Sequence, residues 1–286
     1  MPYGDLEAMR VQRFATLADI DASHPSVEER EEYEAPVRMG VVMYAGVDYL
    51  DILRRAERDA DVIIWDGGNN DFPFYVPDVF VTVVDPLRPG HELAYYPGET
   101  NVRMANVVVA NKTDSAEPAA VEAVIGNVRS VNPSAVVVTA ASPVTLEPGP
   151  SLVDKRVLVV EDGPTITHGG MPYGAGTVAA RQAGATQFVD PRPYAVGSIA
   201  RTYAKYPSIG PVLPAMGYGD TQLRELGETI RAMDCDAVII GTPMDLGRLL
   251  DLGHPVRRVS YELREFGKPT LSAILAPYLD KWRPAP

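Results

Sequence analysis

The sequence predicts an α/β protein, built on a doubly wound, mostly parallel sheet with a second α/β region after it. Three observations carry that reading. Short β-branched runs, VVMYA (41–45), DVIIWD (61–66), VFVTVVD (79–85), ANVVVANKTD (105–114) and SAVVVTA (134–140), lack apolar–polar alternation, as expected of strands covered on both faces. Helical periodicities lie between several of them. A Pro- and Gly-rich break at ASPVTLEPGPSLVDK (141–155) is then followed by the same rhythm again. The 286 residues suggest two domains at roughly 100–200 residues each. The natural division is a polar helical segment at 1–40, a first α/β domain at 41–150 and a second region at 151–286.

The elements follow in order. Ser26 with Glu29 has capping-box spacing and opens a predicted helix at 26–38 over VEEREEYE. After the strand 41–45, Val47, Leu50, Leu53, Ala56 and Ala60 recur at helical steps behind Asp48 as a possible cap. Strands are expected at 61–66, 79–85, 105–114 and 134–140, with a helix at about 117–130 before the last. In the second region RVLVVED (156–162) reads as a strand, followed by a glycine-rich connection and a helix near 176–184. GATQFVD (184–190) is another strand. PVLPAMGYG (211–219) leads into a helix at about 220–233. DAVIIGTP (236–243) is again a strand, and VRRVSYEL (256–263) is expected at an edge, with its polar residues outward.

Composition narrows the function classes. No apolar stretch approaches the ~20 residues needed to span a bilayer, and MPYGDLEAMR has no basic start followed by an apolar run. The single cysteine, Cys235, excludes an intrachain disulfide framework and a multi-thiolate zinc site. A reducing, cytoplasmic setting is the expectation. A net charge of −12 and a pI near 4.8 argue against nucleic-acid or anionic-lipid partners. They leave room for a small phosphorylated substrate, because arginines and backbone N–H groups hold phosphate locally.

The chemistry is concentrated at strand ends. Asn111-Lys112-Thr113-Asp114 follows a buried strand and has the NKxD form that reads guanine. A short carboxylate, Asp114, accepts from the base, the Lys112 stem covers its plane, and Asn111 ties neighbouring loops. The alternative is a polar turn with Asp114 capping the next helix. Asp66-Gly67-Gly68-Asn69 ends another apolar run, where a carboxylate suits Mg²⁺ and glycines let N–H groups approach a γ-phosphate. It reads equally as a glycine-rich turn. Ala141 and Ser142 fit a small-residue loop behind the base. Arg88, His91 and Arg103 lie on a connection that responds to phosphate or merely solvates the surface. In the second region, Gly163–Gly176 lays backbone N–H groups before a helix, with His168, Gly169, Gly170 and Arg181 as candidate substrate contacts; a close-packed connection is the other reading. No GxxxxGK[ST] occurs in the 286 residues, so the amide cradle and lysine for the β-phosphate are missing.

WDGGNNDFPFY (65–75), VVDPLRPGHELAYYPGETNVRMANVVVANKTD (83–114) and VEDGPTITHGGMPYGAGTVAA (160–180) resemble the cyclic 2,3-diphosphoglycerate synthetase family, over essentially the whole chain. Members of that family are longer and carry the phosphate-binding loop upstream, so the resemblance implies a P-loop NTPase-like fold lacking its P-loop segment and an N-terminally truncated chain. Residues 65–114 are also similar to urease-accessory GTPases, which implies a homodimer. The implied reaction is NTP-dependent closure of a cyclic phosphoanhydride, with Mg²⁺ on Asp66, with Gly67, Gly68 and Asn69 facing the γ-phosphate, and with Asn111, Lys112 and Asp114 on the base. The family is associated with ATP, whereas NKTD implies GTP. The alternatives are a regulatory GTPase and a catalytically incomplete fragment that works with a separately encoded P-loop domain.

Overall fold

The computed structural model describes residues 5–68, 71–216 and 220–282. The chain opens with β1 (Gln12–Phe14), α1 (Leu17–Ala22), α2 (Val27–Arg38), β2 (Met43–Ala45) and α3 (Tyr49–Asp59). Next come β3 (Val81–Val84), α4 (His91–Ala94), α5 (Gly98–Met104), β4 (Val107–Ala110), α6 (Pro118–Val131), β5 (Val136–Ala141) and β6 (Val144–Leu146). The later half comprises β7 (Arg156–Asp162), α7 (Gly163–Ile166), α8 (Ala175–Gln182), β8 (Gln187–Phe188), α9 (Gly197–Lys205) and β9 (Leu213–Ala215). It ends with α10 (Asp220–Arg231), β10 (Ala237–Gly241), α11 (Leu246–Leu249), β11 (Val256–Tyr261), β12 (Arg264–Phe266) and α12 (Leu271–Trp282). The architecture is α/β with mostly parallel sheets covered by helices. No described helix is long and apolar enough to cross a membrane.

Two compact units emerge, drawn from the described residues of Met1–Val11, Gly46–Pro143 and Glu262–Pro286 for one, and of Gln12–Ala45 and Val144–Tyr261 for the other. In the first unit the sheet order is β12-β5-β4-β3, with β3, β4 and β5 parallel and β12 antiparallel. The four residues of β4 are all buried, and period-2 geometry divides them between two faces. Val108 and Ala110 pack with Val124 and Val128 of α6, while Val107 and Val109 pack with Leu271 and Ile274 of α12. That double cover is why the run reads as continuously apolar.

The second unit has the order β6-β11-β10-β7-β8, with β9 also on β7. Both β8 and β9 run parallel to β7 on its same side: β8 meets Arg156 and Val157, and β9 meets Val160 to Asp162. Val157–Val160 and Val238–Ile240 are fully buried and form the centre of the core. A small layer joins this unit from 12–45, where Phe14 stacks on Tyr33 with centroids 4.9 Å apart. It is pinned by Arg30, which donates to Asp21 at 2.7 Å and Glu34 at 2.8 Å, and by Arg248, 2.6 Å from Glu34.

Several expectations change. VVMYA contributes β2, but β2 pairs antiparallel with β1 and takes no part in a parallel sheet. DVIIWD (61–66) forms no strand: the segment has no ladder partner among the described residues, and Ile64 is 80% exposed. The helix behind Asp48 forms, with Asp48 accepting from Asp51 N–H at 2.9 Å, but Ile52 and Ala56 are its buried residues while Val47 and Leu50 are exposed. Residues 256–261 are no edge strand, since β11 lies between β10 and β6. Its polar residues do not mark an edge, because its arginines reach over adjoining loops: Arg257 donates to the Glu147 and Pro150 carbonyls.

Candidate functional site

The carboxyl ends of parallel strands are where open α/β sheets bind ligands, and Asn111–Asp114 sits at the end of β4. Asn111 N–H donates to Val84 O at 3.1 Å, which keeps the turn level with the end of β3. Thr113 donates from both backbone N–H and hydroxyl to Ala140 O, each at 3.0 Å, and so ties the turn to β5. Lys112 has φ +59°, a left-handed conformation uncommon for a side-chain-bearing residue. Its Nζ donates to Asp85 Oδ2 at 3.1 Å.

Asp85 is the organising carboxylate of this strand end. Its Oδ2 also accepts from Arg88 at 2.9 Å, and its Oδ1 from Leu87 N–H at 3.0 Å. Burial pushes its pKa up, and Lys112, the Leu87 amide and Arg88 more than offset that, leaving it below the ordinary value. Asn111 Oδ1 is buried with no hydrogen-bond partner among the described residues, an orphaned acceptor of the kind a ligand or ordered water satisfies. Asp114 is exposed, and the following helix is capped at Glu117 rather than by Asp114. A capping role therefore does not account for its carboxylate. Ala141 is buried at the end of β5, with Ser142 half-buried beside it.

The other candidates have different surroundings. Asp66, Gly67 and Gly68 are exposed on the irregular segment that precedes β3; Gly68 N–H is 3.3 Å from Asp71 Oδ2. Asn69 lies outside the described residues. No hydrogen bond or ion pair joins 66–68 to 111–114 among the described residues. Nor does any group of three or more His, Cys, Asp or Glu side chains among them form a metal cage. A cation at Asp66 would take most of its ligands from phosphate and water, the usual habit of Mg²⁺. Arg103 pairs with Glu99 and His91 meets the Tyr95 ring edge-on, so neither converges on the strand end.

The amides of the glycine-rich connection in the second unit are already occupied, and by one of the protein's own carboxyl groups. Glu161, fully buried at the end of β7, accepts from Gly174 N–H (2.9 Å), Gly176 N–H (3.0 Å), Thr177 N–H (2.7 Å) and Thr177 Oγ1 (2.7 Å). Burial pushes its pKa up even against those donors. Any Cβ at Gly241 would strike the same carboxylate, which explains the glycine there. Gly169 and Gly170 donate their N–H groups to Pro164 and Thr167 carbonyls. His168 is exposed, between Thr167 Oγ1 at 3.2 Å and Tyr206 OH at 3.1 Å. Arg181 lies over the Tyr173 and Phe188 rings, 4.8 and 5.6 Å from their centroids. Glu161 was missed by sequence reasoning, although it carries the signal used for Asp66: a carboxylate ending an apolar strand before glycines.

No family model matches the chain. It is 57% identical over 275 residues to the arginine synthetase ArcE of Thermococcus kodakarensis, a match covering 96% of this chain and 61% of that protein. It is 25% identical over 96 residues to the cyclic 2,3-diphosphoglycerate synthetase of Pyrococcus furiosus, covering 32% of this chain and 22% of that protein. The chain thus spans about three fifths of the first of these relatives, and both relatives are synthetases by name.

Proposed function

We propose that this chain is the base-binding part of a nucleoside-triphosphate-dependent synthetase whose product is arginine. The observation that carries this is the 57% identity across 96% of the chain to an arginine synthetase. The chemistry is consistent with a nucleotide-driven ligase. Converting a ureido group to a guanidinium replaces an oxygen by nitrogen, and phosphorylating that oxygen makes it a leaving group. The nitrogen then attacks the same carbon and phosphate departs. Such transfer depends on positioning and charge neutralisation more than on covalent help from the protein.

In this reading Asp114 accepts from the base, the Lys112 stem lies along it, and Asn111, Ala141 and Ser142 frame it. The exposed Asp114 carboxylate and the orphaned Asn111 oxygen support the assignment. NKTD favours GTP, while ATP remains the alternative nucleotide. Asp66 serves Mg²⁺, with Gly67, Gly68 and Asn69 near the γ-phosphate. His168, Gly169, Gly170 and Arg181 contact substrate through the exposed rim of their loop, since Glu161 engages the amides at its base. The partners are a second copy of the chain and a polypeptide that carries the GxxxxGK[ST] loop. The 96-residue similarity to a cyclic 2,3-diphosphoglycerate synthetase supports a second reading, in which the activated group is a phosphate and a cyclic anhydride closes.

The test supplies the chain with the portion of the Thermococcus kodakarensis relative outside the match, Mg²⁺ and either ATP or GTP. One arm offers the ureido analogue of arginine with ¹⁵N-ammonium; the other offers 2,3-diphosphoglycerate followed by ³¹P NMR. Nucleotide-dependent ¹⁵N-arginine is the expected result. A cyclic phosphoanhydride without labelled arginine selects the second reading, and neither product in a mixture that binds nucleotide overturns both.

A further inference from the structure

We infer that Asp85 is a positioning residue of the nucleotide site, setting the pose of Lys112 before the ligand arrives; this rests on the base-binding reading of Asn111–Asp114. Asp85 follows Val84, the residue paired with Ala110, so it stands level with Asn111 and Lys112 on the neighbouring strand. Its two oxygens are each engaged. One accepts the Leu87 amide at 3.0 Å, which fixes the carboxylate to its own backbone turn. The other receives Lys112 Nζ at 3.1 Å and Arg88 at 2.9 Å. The Asp85 side chain is 19% exposed and that of Lys112 is 40% exposed, so the anchor is shielded while the lysine stays accessible.

A lysine stem has four rotatable carbons and a strongly hydrated head. Left to itself it samples many rotamers, and a base stacking against it must order them at a cost to affinity. Tethering the head to a carboxylate already held by an amide removes most of that disorder in advance. The left-handed backbone of Lys112 aims the stem, and Asp85 stops its far end. With burial opposed by Lys112 and the Leu87 amide, the carboxylate stays ionised at neutral pH.

Fluorescent GTP titration of the 286-residue chain, with thermal unfolding in parallel, compares wild type, Asp85→Asn, Lys112→Ala and the double variant. Asp85→Glu is the rescue. Loss of one ordered long side chain corresponds to roughly three- to tenfold weaker binding. Asp85→Asn is expected to weaken binding by that amount, the double variant to bind no worse than Lys112→Ala alone, and Asp85→Glu to recover part of the loss. A purely structural Asp85 would instead lower the unfolding midpoint and leave the affinity of the folded fraction unchanged, or add its effect to that of Lys112→Ala. Either result overturns the inference. Wild type that binds no nucleotide at all overturns the base-binding reading, and this inference with it.

Discussion

Glu161 and Glu34 are both buried carboxylates of the second unit, yet the surrounding charges move them in opposite directions. Glu161 meets only neutral donors, so burial dominates and its pKa rises. Glu34 is also raised by burial, but Arg30 and Arg248 reverse the balance and leave it low. A raised folded pKa contributes stability that is complete below the unfolded value and is lost as pH rises through the folded one; a depressed pKa does the reverse. Urea titrations over a pH series are therefore expected to separate them. Glu161→Gln removes a component that declines as pH rises above the usual glutamate range, and costs about 1–3 kcal/mol by turning an amide NH₂ toward N–H donors. Glu34→Gln removes a component that declines as pH falls below that range, and costs about 3 kcal/mol by leaving Arg30 and Arg248 short of a buried anion. Parallel pH profiles for the two variants would contradict this account. On the ligand side, Asp114→Asn replaces an acceptor by a group presenting a donor. Xanthine nucleotides are expected to gain affinity and guanine nucleotides to lose it, as read by fluorescent GTP, XTP and ATP analogues. Equal binding of all three by both proteins would remove Asp114 from the base site.

Among the elements, β7 and β10 form the buried centre of the second unit, in register from Val157 against Ala237 to Glu161 against Gly241. Ile240→Ala should cost about 2–5 kcal/mol, because close-packed neighbours relax only partly into the void; a denaturation midpoint shift with unchanged urea dependence checks it. The element calling for a different explanation is the run 61–66. VIIW has the composition of a buried strand, but strand formation needs a neighbour to satisfy its N–H and C=O groups, and composition does not supply one. Trp65 instead gathers with Tyr49, Phe74 and Tyr75, with centroids 5.1 to 5.5 Å from its ring. The third strand shows the same incompleteness: among the described residues β3 pairs with β4 alone, and Val83 is 62% exposed.

At the scale of the whole molecule, the 286 residues contain no GxxxxGK[ST], so the chain by itself is expected to hydrolyse neither ATP nor GTP above background, with phosphate release as the measurement. Robust turnover would mean that the phosphates are held by residues other than Asp66, Gly67, Gly68 and Asn69. Sequence alone determined the α/β class, the burial of strands such as β4, β7 and β10, the capping box at Ser26 and Glu29, and the candidate base-reading turn. These are local: each follows from side-chain period, propensity or a fixed short spacing. Only the tertiary structure decided that β2 pairs with β1, that β11 lies inside its sheet, that 61–66 finds no strand partner among the described residues, and that Glu161 fills the helix end proposed for a ligand. Asp85 is likewise 27 positions from Lys112 in the chain yet 3.1 Å from it in space. Strand pairing and buried charge are contacts between distant segments, and a linear pattern carries no information about which segments meet.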